Sequence, residues 1–149
     1  MPACLRLILP LLLCALSACH SEPTSFEEAP DPVRETITIY RLDGDEGRQP
    51  DSDGTFHAWP ITAARTITDP AVERSVLEEL RIGIDDPDAQ ARRCFIPRHG
   101  IRHLRIDGRT VDYVICFQCG LYRTMLDGGR NGGGTIGRSD LRRLMDSLL

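Results

Sequence analysis

Cys94-Phe-Ile-Pro-Arg-His-Gly-Ile-Arg-His-Leu-Arg-Ile-Asp-Gly-Arg-Thr-Val-Asp-Tyr-Val-Ile-Cys-Phe-Gln-Cys119 is the stretch whose reading decides the fold. Both halves of the expected hairpin, Cys94 to Asp107 and Arg109 to about Tyr122, are strand-like, and Asp107-Gly108 between them is a dipeptide favoured by a type I′ hairpin turn. A two-residue loop there sets Ile106 against Arg109, His103 against Asp112 and His99 against Cys116. Side chains alternate across a strand, so His99, His103, Asp112 and Cys116 would share one face with Ile101 and Val114. The opposite face would gather Leu104, Ile106, Val111, Tyr113, Ile115 and Phe117, and it reads as the core face.

Outward from the hairpin, the signals are those of one domain. Residues 35–42 alternate with β-branched positions and predict a first strand. Residues 43–54 form an acidic, Gly-rich loop, and residues 56–68 look extended and edge-like at Pro60. Asp69-Pro70 is a helix start, followed by an apolar stripe of Val72, Val76, Leu77 and Leu80 up to about Gly83. Asp86-Pro87 repeats the start signal and predicts a short helix to about Arg93. Residues 127–137 read as a Gly-rich loop, after which Ser139 can cap a last helix bearing Leu141, Leu144, Met145 and Leu148. Gly132 to Ser139 mimics a phosphate-binding loop, but Arg138 stands where that motif needs lysine. The order predicts an α+β domain over 35–149: a small antiparallel sheet with a C-terminal Cys/His β-hairpin and two or three helices. Phe56 and Trp59 are core by default.

The N-terminus speaks to location. Arg6 precedes an apolar run, Leu7 to Leu16, too short to be a permanent membrane span and suited to an export signal over 1–18. Leu16-Ser-Ala-Cys19 resembles the lipobox of bacterial lipoproteins. That resemblance implies acylation of Cys19 and an anchor of several fatty chains, palmitate among them. It places the chain in the cell envelope, with His20 after the cysteine favouring the outer membrane facing the periplasm. Residues 19–34, rich in Glu, Pro and Ser, would then be a flexible tether. The membrane, through the lipid, is the expected first partner.

Charge and composition exclude several classes. The chain has 18 arginines and no lysine against 22 acidic residues, a net charge of −4. Nucleic acid is therefore not an expected partner. Schiff-base and P-loop chemistry have no lysine to use. Arg92, Arg93, Arg98, Arg102 and Arg105 concentrate positive charge locally and suit a small anionic ligand bearing carboxylate or phosphate, or a solvated strand face.

With Cys4 and Cys14 in the signal and Cys19 lipidated, Cys94, Cys116 and Cys119 remain, an odd number for an oxidising compartment. One reading is a Cys94–Cys119 disulfide with Cys116 left as a thiol. The other is a structural zinc held by Cys94, His99, Cys116 and Cys119, which requires a turn after Cys116 that Gly120 can supply. Cys94-Phe-Ile-Pro-Arg-His99 with Ile115-Cys-Phe-Gln-Cys119 also resembles a group of small exported bacterial proteins of unknown function, and that resemblance implies no activity. The expectation is a lipid-anchored envelope protein, a binding or structural module held by a disulfide or a metal and more in keeping with a non-enzyme. The alternative is a periplasmic thiol- or metal-dependent enzyme using Cys116, His99 and His103, with Asp112 orienting a histidine.

Overall fold

The computed structural model describes residues 34–149; the expected signal (1–18), the expected lipidation site Cys19 and all but the last residue of the expected tether (19–34) lie outside the described residues. Nine elements follow one another: β1 (Thr36–Leu42), β2 (Thr55–Phe56), β3 (Trp59–Ile67), α1 (Pro70–Ile84), β4 (His99–Leu104), β5 (Thr110–Cys116), β6 (Leu121–Leu126), β7 (Gly129–Thr135) and α2 (Leu141–Leu148). The fold is α+β and the sheet dominates it. The seven strands form one antiparallel sheet in the order β2-β3-β1-β4-β5-β6-β7. Among the described residues no helix is long and apolar enough to cross a membrane.

Alternation in β1 explains why the sheet has two apolar faces. Ile37 and Ile39 point to one side, where they meet Ile101 of β4, Ile115 of β5, Val76 and Leu80 of α1, and Leu141 and Met145 of α2. The other side carries Leu42, Val114 and Met125, packed with Phe56 and Trp59. Helix α1 starts as its sequence signals: Asp69 accepts the Ala71 backbone N–H at 2.8 Å, and Pro70 occupies the first turn where its missing N–H costs nothing. In α2 the N-cap position is Asp140, while the Ser139 hydroxyl accepts from the Leu141 N–H at 3.3 Å.

The hairpin forms, but its register is displaced by one residue from the expected one. Leu104 pairs with Thr110, Arg102 with Asp112, His103 with Val111 and His99 with Ile115. The loop therefore holds three residues, Ile106 to Gly108, closed by Gly108 N–H to Arg105 O at 2.9 Å and Arg105 N–H to Arg109 O at 2.9 Å. Gly108 alone takes the left-handed conformation, at φ 79°, whereas a type I′ turn needs both central residues there. A one-residue slip moves a whole strand's side chains to the other face. His99, His103 and Ile101 consequently face the helices, and Asp112 and Cys116 face away from them. Ile106, expected in the core, is 78% exposed in the loop.

The type I′ Asp-Gly turn occurs instead at Asp127-Gly128, at φ 49° and 82°, and joins β6 to β7. The Gly-rich segment expected as a loop is thus a strand. It has little β-propensity, and its pairing along β6 supplies what the side chains do not. The short helix expected after Asp86-Pro87 is absent. Asp86 accepts from its own turn at Asp88 N–H (2.9 Å) and from Arg138 N–H (2.7 Å), and the following residues have no apolar stripe to bury. The chain runs extended instead, with Arg92 N–H on Cys119 O at 2.8 Å and Arg98 N–H on Ile115 O at 3.2 Å.

The observed register separates two isoleucines that the sequence places on opposite faces. Ile101→Ala should lower unfolding stability by about 2–5 kcal/mol, and Ile106→Ala should stay within about 0.5 kcal/mol. Urea midpoints of the two variants check this; equal losses would contradict the pairing.

Candidate functional site

Asp112 is the polar centre of the face turned away from the helices. Its side chain is 1% exposed and its carboxylate is fully occupied. Arg102, directly opposite on β4, donates from Nε at 3.0 Å to Oδ1 and from Nη2 at 2.7 Å to Oδ2. The His57 Nε2 lies 2.7 Å from Oδ2. Burial alone would raise the Asp112 pKa; the His57 and Arg102 hydrogen bonds outweigh it and hold the carboxyl below the ordinary value. Arg102 also lies over the Phe56 ring, 5.4 Å from its centroid, and Phe56 stacks on Tyr40 at 4.3 Å.

His57 reaches Asp112 because it occupies a two-residue turn between β2 and β3, with His57 at φ 52° and Ala58 at φ 70°. Neither is glycine or asparagine, so each position stores roughly 1–3 kcal/mol of backbone strain. The Asp112 bond and the burial of Ala58 and Trp59 offset that strain. Strand β2 is at one edge of the sheet and β5 lies beyond β3, β1 and β4 in the order. Contact between them requires the sheet to curl over this face.

The other histidines are placed elsewhere. His99 is buried on the helix side, its Nε2 at 2.9 Å from Asp146 Oδ1 of α2 and its ring edge-on to Phe117 at 5.2 Å. Desolvation pushes its pKa below the usual value despite the Asp146 partner, so it is neutral at pH 7. His103 pairs with Glu35 at the start of β1. The structure therefore does not bring Cys116 together with His99 or His103, and Asp112 orients His57 rather than His103.

The three cysteines do converge. Residues 90–94 run beside the turn that follows Cys116, where the Cys119 N–H donates to Cys116 O at 3.1 Å and Gly120 adopts φ 64°. Cys94 and Cys119 lie at disulfide-bonding distance with Cα atoms 5.7 Å apart, and Cys116 is a buried thiol. All three sulfurs fall within 4.8 Å of one another. His99, the fourth member of the expected zinc set, faces the helices, so the residues present offer three sulfurs and no imidazole.

Beside the sulfurs opens a groove of about 700 Å³, lined by Arg92, Arg93, Cys94, Phe95, Arg123 and Arg130, with Gly132 to Gly134 of β7 as its backbone wall. A smaller hollow of about 200 Å³ shares Arg123 and Arg130 and adds Arg48, Asp51 and His57. Among the described residues none of these five arginines enters an ion pair, whereas Arg98 is paired with Asp45 and Arg102 with Asp112. Arg123 lies over the Phe95 ring at 4.0 Å. Burial first, then repulsion by Arg130 and Arg48, lowers its pKa. Gathering like charge in this way is unfavourable, and an anion seated among the guanidinium groups would relieve it.

No family model, no curated protein and no solved structure matches this chain. Of the residues now seen at the site, sequence reasoning marked Arg92, Arg93 and the cysteines. It missed Arg48, His57, Arg123 and Arg130. His57 is 55 residues from Asp112, and only the curl of the sheet brings them together.

Two tests follow from this geometry. Arg102→Ala leaves a buried carboxylate with only His57, and should cost about 3–5 kcal/mol at neutral pH. Because the folded Asp112 pKa is depressed, its contribution is present above the unfolded value of about 4 and lost as pH falls below it. Arg102→Ala removes much of that acid-labile contribution, so the stability gap between wild type and variant should be widest near pH 7 and should narrow as pH falls below about 4, read from urea midpoints at the two pH values. Reducing Cys94–Cys119, which spans a sequence separation of 25, should cost about 3 kcal/mol, read as a lower urea midpoint with reductant than without.

Proposed function

We propose that this chain is a lipid-anchored envelope protein whose domain is a binding module for anionic ligands. The observation that carries the reading is the groove. In a chain of net charge −4, Arg92, Arg93, Arg123 and Arg130 line one cavity with no carboxylate among the lining residues. Guanidinium forks recognise carboxylate or phosphate by bidentate hydrogen bonds, and Phe95 and Tyr122 offer an apolar wall to the remainder of a ligand. The glycine strand keeps the opposite wall free of side chains, so backbone can approach the ligand closely. The disulfide ties the groove-lining Cys94 to Cys119 in the turn after β5. Support for the anchor comes from Leu16-Ser-Ala-Cys19 after the apolar run, with lipid on Cys19 and the outer membrane, facing the periplasm, as destination.

Titration calorimetry of the full chain in detergent with inorganic phosphate and with citrate checks the binding reading. The expected result is saturable binding that weakens with added salt, and about tenfold weaker affinity in Arg123→Gln, equivalent to about 1.4 kcal/mol. Absence of saturable binding, or equal affinity in the variant, would count against the groove. For the anchor, metabolic labelling with palmitate should mark the wild type and not Cys19→Ser, which should also leave the membrane fraction.

A further inference from the structure

We infer that Cys94, Cys116 and Cys119 form an internal thiol–disulfide exchange site that presents the reactivity of the buried Cys116 at the arginine groove as a Cys94 thiolate, where an external disulfide is captured. Three observations meet here. The sulfurs lie within 4.8 Å of one another, so Cys116 is within short reach of the Cys94–Cys119 pair. Cys116 and Cys119 are each 1% exposed, whereas Cys94 is half-buried and lines the groove. Cys116 and Cys119 are also already folded onto each other by the backbone bond that closes their turn.

These facts fix the direction of exchange. Cys116 gives its proton to water, and the thiolate attacks Cys119 Sγ. The Cys116–Cys119 bond forms, the Cys94–Cys119 bond breaks, and the electron pair leaves on Cys94 Sγ. Attack on Cys94 would only pass the charge from one interior sulfur, Cys116, to another, Cys119, whereas attack on Cys119 carries it from the interior out to the groove, where desolvation no longer penalises it. A thiolate at Cys94 emerges beside Arg92, Arg93 and Arg123, and neighbouring positive charge stabilises such a leaving group. Cys94 then attacks a low-molecular-weight disulfide, R–S–S–R. A Cys94–S–R bond forms, RS⁻ departs, and it takes up the proton first released. One protein thiol and one external disulfide become one mixed disulfide and one external thiol, with no net gain or loss of electrons. The substrate class is a small disulfide carrying carboxylates. That preference rests on the anionic reading of the groove; the exchange itself does not.

The test incubates the full chain with glutathione disulfide, which is anionic, and separately with cystamine, which is cationic, and maps the bonds by mass spectrometry of non-reduced peptides. The expected product carries glutathione on Cys94 together with a Cys116–Cys119 bond. It should form at least about tenfold faster with glutathione disulfide than with cystamine at low salt, and the rates should converge at high salt. Cys116→Ala should keep Cys94–Cys119, retain its circular dichroism and gain no adduct. An adduct on Cys116 itself, an adduct on Cys94 in Cys116→Ala, or no adduct in the wild type would each overturn the relay. So would a bound metal released with three alkylatable thiols on unfolding. Equal rates for the two disulfides with the Cys94 adduct present would sustain the relay and overturn the anionic reading of the groove.

Discussion

The buried carboxylate of Asp112 is the constraint on which the far face of the sheet depends. A charge at that depth is tolerated only if strong donors surround it, and they come from different parts of the chain: Arg102 across the hairpin and His57 from the opposite edge. Satisfying it fixes the β4–β5 register, because only Arg102 stands directly opposite. The same demand draws the β2–β3 turn over the sheet, seats Phe56 between Tyr40 and Arg102, and covers Gly100, where a larger residue would collide with the Phe56 ring. The strain in the His57-Ala58 turn is the local cost of that arrangement.

The two faces of the sheet then divide the work. One is closed by α1 and α2 over aliphatic side chains packed around Ile37, Ile39 and Ile115. The other is covered by the β2–β3 turn, the loop of residues 43–54 and the extended run before β4, and the groove and the smaller hollow open there. Cys116, Arg123 and Val114 share this open face because their positions in β5 and β6 alternate in step. The placement of the cysteines and the guanidinium groups side by side follows from register, with no motif needed to announce it.

Much of the fold was legible because local signals agreed with the tertiary outcome. Thr-Ile-Thr-Ile in β1, Asp69-Pro70 before α1 and the apolar stripe of α2 each specify their element and its buried side. The hairpin was legible as a hairpin, but its loop was not. Asp107-Gly108 and Asp127-Gly128 are the same dipeptide, and they close a three-residue and a two-residue loop respectively. The pairing of Arg102 with the buried Asp112 carboxylate selects the first, a preference invisible within the turn itself. That single residue of slip separated the expected cluster of His99, His103, Asp112 and Cys116 into two sets on opposite faces. Strand β7 escaped notice because glycines carry no pattern; its identity comes from the partner beside it. The Cys94–Cys119 proximity was anticipated as one of two readings, while Arg48, Arg123 and Arg130, far from Arg92 and Arg93 in the chain, had no local signal that could group them with that pair.

The strand order carries a consequence for the order of events during folding. β1 is the first strand in the chain, yet it lies between β3 and β4, and one of its edges stays bare until residues 99–104 arrive. A strand with an unpaired edge and apolar side chains is a template for the wrong partner, another copy included. Synthesis from the N-terminus exposes β1 throughout the interval in which the helix α1 and the acidic loop are made. Pairings so distant in sequence form slowly. The chain therefore needs to be kept from collapsing, or from meeting its siblings, until its second half has emerged, and delayed compaction of this kind is compatible with crossing a membrane before folding.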